Sequence, residues 1–138
     1  MKKIAIDTNI LVFANIIEYP EYRLASKKML DYINNGVIFS LNSIVISEVY
    51  HILSRILNIQ EAYSRTKAIL DSPSIFFEPI NQETVFQAIG MSSTKMIRIN
   101  DAIIASQAIG LGCAGIFTDN VKDFKKCDNI TVFPLRSD

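Results

Sequence analysis

The sequence predicts a single α/β domain with a parallel sheet of about five strands and helices on both faces. Short β-branched or aromatic runs alternate along the chain with longer segments of helical periodicity, which is the pattern of a parallel sheet covered on both sides. The 138 residues, 49% of them hydrophobic, suffice for one domain with a real core and leave no room for a second. We therefore expect one domain spanning residues 1–138.

The first part of the chain predicts two strands and three helices. A buried strand at Ile4–Ile6 passes at Asp7 into the apolar run TNILVFANII, which is too long for a strand extension and predicts a helix. A second helix, EYRLASKKMLDYINNG, carries apolar residues at helical spacing and ends at Asn35-Gly36. The strand VIFSL follows, and Asn42-Ser43 opens the largely apolar helix IVISEVYHILSRIL.

The second part predicts three more helices and three more strands. Asn58 and Glu61 have the spacing of a capping box and start a helix that runs through Leu70. SIFFEPI is the third strand, and Asn81 caps the helix QETVFQAIGM. After the polar stretch SSTK, Asn100 caps the helix DAIIASQAIGLG, and AGIFT and TVFPL form the last strands around the DNVKDF turn.

Composition argues against several classes of protein. Lys plus Arg and Asp plus Glu balance at 14 each, so no overall basic charge indicates a nucleic-acid binder. Cys113 and Cys127 lack C-x-x-C spacing and have one histidine to join them, which argues against structural zinc. The apolar runs are shorter than a membrane span, and no cleavable signal precedes the first strand, so we expect a soluble cytoplasmic protein without membrane contact.

Four acidic residues have positions that suggest chemistry. Asp7 and Asp119 each follow a predicted strand, so both belong at the carboxyl edge of the sheet, where ligands bind in open α/β folds. Asp101 begins a helix, and Glu48 is the one acid within an apolar helix. Clustered carboxylates repel one another unless a cation neutralises them, and oxygen ligands favour Mg²⁺ or Mn²⁺.

Each of these residues also has an ordinary structural explanation. Asp7 could be a helix cap, and Asp101 could be an ordinary acid in the first turn of a helix. Glu48 could form an ion pair with Arg55, and Asp119 and Asp123 could be ordinary turn residues. His51 lies three residues after Glu48, but a carboxylate-bridged metal site needs a second Glu-x-x-His motif and the sequence has none. We therefore expect His51 at a rim or partly buried.

Four motifs together resemble a known family. IAIDTNILV, the helical Glu48, INDAIIASQAIGLG and IFTDNVKDF are similar to the PIN domain family, and most closely to the VapC toxin ribonucleases of toxin–antitoxin pairs. The match covers essentially the whole chain. The resemblance implies a Rossmann-like sheet, an Mg²⁺- or Mn²⁺-dependent endoribonuclease activity on RNA, a homodimer and an antitoxin partner.

The resemblance also implies roles for individual residues. Asp7, Glu48 and Asp101 match the three core acids of the family, and Asn9 matches the polar residue that fixes the first of them.

The fourth family position departs from the pattern. It matches Asn120, whereas the acid, Asp119, comes one residue earlier. Because a carboxylate binds a hard cation better than an amide does, we expect Asp119 to be an outer metal ligand and Asn120 to orient water or phosphate. Thr118 supports this site, and Asp123 is expected to cap the short helix that follows.

Metal chemistry is also favoured by what the chain lacks. With one histidine, no Ser/His/Asp or Cys/His set can be assembled. A cation held by Asp7 and Asp101 could activate water, with Glu48 orienting or deprotonating it. Candidate RNA phosphate contacts near the acids are Lys95, Arg98 and Lys122.

Other functions stay open at this stage. A haloacid dehalogenase-like phosphatase begins with a strand and Asp-x-Asp, but the second position here is Asn9. A phosphoacceptor signalling domain has a similar sheet and a late threonine, which Thr118 could imitate, yet it needs an aspartate at the end of the third strand, where SIFFEPI offers Glu78. A catalytically silent interaction domain is a further alternative.

Overall fold

Five parallel strands form the centre of the computed structural model, which describes residues 2–136. They are β1 (Lys2–Ile6), β2 (Val37–Leu41), β3 (Ile75–Phe77), β4 (Ile116–Thr118) and β5 (Val132–Pro134). Their spatial order is β3-β2-β1-β4-β5, and all four pairings are parallel. The predicted α/β class and the five-stranded sheet are confirmed, while residues 1, 137 and 138 of the expected 1–138 domain lie outside the described residues.

Burial along the central strand shows that both faces of the sheet are covered. Successive residues of a strand point to opposite faces, yet Ile4, Ala5 and Ile6 of β1 are all buried. Ile116 and Phe117 of β4 are likewise fully buried. Such continuously apolar strands are typical of a parallel sheet between two layers of helices.

Seven helices connect and flank these strands within residues 2–136. They are α1 (Thr8–Phe13), α2 (Tyr22–Asn34), α3 (Ser43–Ile56), α4 (Ile59–Asp71), α5 (Gln82–Lys95), α6 (Ile99–Gly110) and α7 (Val121–Phe124). No helix within residues 2–136 has the length and apolarity needed to cross a membrane.

Asparagine side chains set three of the helix starts, as the sequence predicts. Asn42, Asn58 and Asn81 each accept a hydrogen bond from the backbone N–H three residues later, at 3.0, 2.8 and 2.9 Å respectively. The capping box at Asn58 is only half formed, because Glu61 binds Arg65 in its own helix at 3.1 Å instead.

The first helix is shorter than predicted. It ends at Phe13 rather than continuing to Ile17. The Asn15 side-chain amide donates to the Leu11 carbonyl at 2.7 Å and so occupies the acceptor that the next helical turn would use. A run of turns therefore leads from α1 to α2.

Two boundaries later in the chain also differ from the prediction. The SSTK stretch, which the predicted helix QETVFQAIGM left out, continues α5 to Lys95, and the Thr94 hydroxyl donates to the Gly90 carbonyl at 2.9 Å. The prediction that Asn100 caps the next helix is wrong, because α6 begins at Ile99 with Arg98 at the N-cap position. The Asn100 side chain is instead committed to a tertiary contact described below.

The order of the strands determines where a ligand can bind. The chain passes outward from β1 through β2 to β3 and then returns to the opposite side of β1 for β4. This reversal opens a crevice at the carboxyl ends of β1 and β4. Asp7 follows β1, and Asp119 and Asn120 follow β4, so the predicted residues approach that crevice from both strands.

Candidate active site

Asp7 is both a helix cap and a member of a buried polar network. One carboxylate oxygen accepts the Thr8 N–H at 2.7 Å, and the other accepts the Thr118 hydroxyl at 2.7 Å and the Asn9 amide at 3.3 Å. Burial raises the pKa of Asp7 above its ordinary value, against the opposing effect of the hydrogen bonds from Thr118 and Thr8. The two explanations of this residue, cap and site, are therefore compatible.

Asp101 is the second buried acid. It lies in the first turn of α6 and accepts a long hydrogen bond from the Asn120 amide at 3.4 Å. Burial first, and then the negative charge of Asp7, raise the pKa of Asp101 to about 6, although Arg98 opposes the shift. A carboxyl group with this pKa binds a proton or a cation more readily than an exposed aspartate does.

Glu48 is held from two sides by residues that the sequence did not identify as part of the site. Its Oε1 accepts the Thr8 hydroxyl at 2.7 Å, and its Oε2 accepts the Asn100 amide at 3.1 Å. The Arg98 guanidinium lies 3.8 Å from the same Oε2. The ion pair considered with Arg55 is replaced by this contact with Arg98, and both carboxylate oxygens are oriented.

Thr8 and Asn100 had no strong signal in the sequence. Thr8 adjoins Asp7, which was a weak hint, whereas Asn100 resembled an ordinary helix cap. Their contacts to Glu48 span 40 and 52 positions of sequence, so only the fold reveals them.

These acids face one cavity of about 630 Å³ at the crevice between β1 and β4. Its polar lining consists of Asp7, Thr8, Asn9, Ser47, Glu48, His51, Arg98, Asp101 and Asn120. The structure thus brings together the three predicted core acids and Asn9, and it puts the exposed His51 at the rim, as expected.

Asp119 does not join them. Its carboxylate makes two hydrogen bonds of 2.9 Å with the Arg136 guanidinium, which also binds Glu21 at 2.7 Å. Its backbone N–H donates to the Asn9 side chain at 3.1 Å, whereas the residue itself lines the neighbouring pocket that contains Arg136. The expectation that Asp119 faces the other acids is therefore corrected.

Asn120 lines the cavity in its place. Its side-chain amide donates to Asp101 at 3.4 Å and to Asp123 at 3.1 Å, and its backbone N–H donates to the Thr118 hydroxyl at 2.8 Å. The hydrogen bond from Asn120, foremost, lowers the pKa of Asp123. Asp123 does not cap α7 as predicted, because it lies inside that helix.

Only one of the three predicted phosphate contacts lines the cavity. Arg98 does so with a largely exposed side chain. Lys95 pairs with Asp128 at 3.0 Å on the surface. Lys122 borders a smaller neighbouring pocket that also contains Arg136.

The donor set suits a hard divalent cation held by few protein ligands. Within residues 2–136, no three His, Cys, Asp or Glu side chains form a group that could hold an ion. Mg²⁺, however, commonly binds through one or two carboxylates and keeps several of its waters. Asp7 and Asp101 are buried carboxylates with raised pKa values, so binding of a cation would relieve an unfavourable pair of charges.

A sequence model described as "PIN domain" matches residues 4–129 of this chain. No curated protein sequence matches this chain significantly.

Solved structures of low sequence identity share the fold. The VapC20 toxin of Mycobacterium tuberculosis, which cleaves the sarcin-ricin loop, superposes with a TM-score of 0.75 at 14% identity, covering 86% of this chain and 92% of that one. VapBC2 from Rickettsia felis, bound to a promoter DNA fragment, gives 0.75 at 21% identity, with coverages of 96% and 98%. A toxin–antitoxin complex from Klebsiella pneumoniae gives 0.66 at 19% identity, also with coverages of 96% and 98%.

Proposed function

Because the chain belongs to the PIN domain family, we propose that it is an Mg²⁺- or Mn²⁺-dependent endoribonuclease that hydrolyses RNA phosphodiester bonds. We further propose that it is the toxin of a toxin–antitoxin pair. The observation that supports the proposal best is the set of three acids from three separate elements, Asp7, Glu48 and Asp101, around one cavity at the switch point of the sheet.

Asp7 and Asp101 are the proposed holders of the ion. A bound divalent cation lowers the pKa of water and offsets the negative charge of a phosphodiester. Thr118 and Asn9 orient the Asp7 carboxylate, and Asn120 orients that of Asp101. Such supporting contacts preserve the direction of carboxylates that would otherwise turn away from each other.

Glu48 is the proposed general base. Thr8 and Asn100 hold one oxygen each, so the carboxylate keeps one orientation toward the cavity. In the hydrolysis, the oxygen of a water bonds to phosphorus, Glu48 accepts the proton of that water, and the ribose oxygen leaves with the P–O bond electrons and is protonated from solvent.

Arg98 is the proposed contact to the scissile phosphate. Its guanidinium lies in the same cavity as the acids and presents a planar fork suited to phosphate oxygens. Lys95 and Lys122 lie outside the cavity, so their proposed role is limited to flanking phosphates.

An antitoxin protein and a second copy of this chain are the proposed protein partners. The Klebsiella structure is a toxin–antitoxin complex, which supports the first of them by similarity of fold. A cavity lined by three acids suits an arginine or lysine from an inhibitor, since such a side chain could replace the cation.

The direct test is cleavage of a panel of RNAs by the purified chain. We expect cleavage with Mg²⁺ or Mn²⁺ and none in excess EDTA, because Asp7 and Asp101 would then lack the ion. Acetyl phosphate and a generic phosphomonoester serve as comparison substrates. Undiminished cleavage in EDTA would contradict the metal dependence, and stable phosphorylation by acetyl phosphate would indicate the phosphoacceptor alternative.

A second prediction compares the two neighbours after β4. Asp119→Asn should change Mn²⁺ affinity less than about twofold, because this side chain binds Arg136 outside the cavity. Asn120→Ala removes the donor to Asp101 and should reduce turnover by about 10- to 100-fold, as loss of a group that orients a metal ligand typically does. Titration calorimetry with Mn²⁺ and cleavage rates measure both. If Asp119→Asn loses Mn²⁺ affinity tenfold while Asn120→Ala keeps the wild-type turnover, Asp119 rather than Asn120 is the fourth residue of the site.

A further inference from the structure

Part of the cavity lining has no role in the chemistry proposed above. It consists of apolar and aromatic side chains, which we call the aromatic wall: Val12, Phe13, Tyr19 and Ile52. The rings of Phe13 and Tyr19 meet edge to face, with centroids 5.9 Å apart and an interplanar angle of 70°. Both rings pack against the core and are only partly buried, so part of each faces the cavity.

The wall is held in place before any ligand arrives. Phe13 is the last residue of α1, and backbone hydrogen bonds from Tyr19 N–H to Ile16 (3.1 Å) and from Tyr22 N–H to Tyr19 (3.1 Å) form the turns that carry the Tyr19 ring. A hydrated cation does not need an apolar surface. The cavity volume of about 630 Å³ is instead in the range of sites for organic ligands.

The distribution of charge in the cavity fixes the orientation of such a ligand. Arg98 is the only Lys or Arg that lines it within residues 2–136, and it lies beside Glu48 and the other acids. A phosphate therefore belongs beside Arg98 and the ion. The aromatic wall is left for a neutral, flat group attached to that phosphate, and an acidic ligand there would be repelled by the carboxylates.

We propose that the aromatic wall is a nucleobase subsite that stacks the base of a nucleotide adjacent to the scissile phosphate. The proposal rests on the endoribonuclease function proposed above and adds the residues that position the substrate. Stacking on aromatic side chains is sequence-tolerant and needs a base that has left its helical stack. Ser47 and His51, which also line the cavity, offer polar atoms to the edge of the base.

The test uses a single-stranded RNA oligonucleotide containing 2-aminopurine, whose fluorescence falls when it stacks. It is titrated into full-length Asp101→Asn protein, in which cleavage is expected to be suppressed. Adding Phe13→Leu or Tyr19→Leu keeps an apolar side chain against the core but removes the ring. Each should weaken binding by roughly 5- to 150-fold, the equivalent of one stacked base, and should abolish the quenching. Phe86→Ala, which removes an equally large but highly exposed ring on α5, should change neither.

The possible outcomes separate this proposal from the function on which it rests. Unchanged binding and quenching in both Leu variants would overturn the nucleobase subsite and leave the wall to a protein partner. If the protein binds the matched RNA duplex as tightly as the single strand and binding quenches 2-aminopurine in neither, the nucleobase subsite is overturned as well. If wild-type protein with Mn²⁺ cleaves none of the RNAs that bind and quench, the endoribonuclease proposal fails while the base subsite stands.

Discussion

Replacing Asp101 by asparagine is expected to reduce RNA cleavage by at least about 100-fold, since loss of even a supporting group at a metal site costs about 10- to 100-fold. The amide keeps the shape of the side chain and can still accept the hydrogen bond from Asn120, but it removes the charge that would bind the cation. Asp7→Asn should have an effect of the same order, although it also alters a helix cap.

The measurement is the initial rate of cleavage at saturating Mn²⁺, together with Mn²⁺ affinity by calorimetry. Asp31→Asn is the matched control, because Asp31 is exposed on α2 and pairs there with Lys27. Circular dichroism should show that both variants are folded. Wild-type cleavage rates in purified Asp101→Asn would remove this residue from the catalytic site.

Asp101→Asn is also expected to stabilise the metal-free protein at pH 7.5. In the folded chain the pKa of Asp101 is about 6, compared with 3.8 for an ordinary aspartate, so ionising it above pH 6 costs up to about 3 kcal/mol. The folded-state pKa already reflects the attraction of the helix dipole for this first-turn acid. The net stabilisation should therefore be up to about 3 kcal/mol, or several degrees in Tm for a chain of this length.

The pH dependence of that gain has a definite sign. Between pH 3.8 and about 6 the folded wild type binds more protons than the unfolded chain, so the contribution of Asp101 to stability falls as pH rises through this window and is level above it. The advantage of Asp101→Asn should consequently be smaller at pH 5 than at pH 7.5, by about 1 kcal/mol. Taking the difference between variant and wild type cancels the contributions of ionisable groups that do not interact with Asp101.

Urea unfolding of the metal-free proteins at the two pH values measures this effect. Adding Mn²⁺ should reverse the order at pH 7.5, because the cation stabilises the wild type more than the variant. An Asp101→Asn protein that is less stable than wild type without metal at pH 7.5 would show that the carboxylate is structurally favourable, contrary to its raised pKa.

Much of the fold could be predicted because its signals are local. The caps at Asn42, Asn58 and Asn81 depend on a backbone group three residues away, and the buried strands depend on the apolar character of a few neighbours. The boundary at Asn100 could not be predicted in this way. Its side chain has two possible partners, the helix backbone and Glu48, and the second lies 52 positions away.

The sequence by itself determined the order of strands and helices along the chain. It also placed Asp7 and the residues after Thr118 at one edge of the sheet, because the carboxyl ends of parallel strands lie at the same edge. Only the tertiary structure decided which side chain of the Asp119-Asn120 pair faces the cavity. The reason is that the Arg136 guanidinium binds Asp119 and Glu21 together. Glu21 and Arg136 are 115 positions apart in the sequence, so only the fold brings them together. The side chains of Asp119 and Asn120 leave the end of β4 in different directions, and the one with a distant ionic partner is turned away from the cavity.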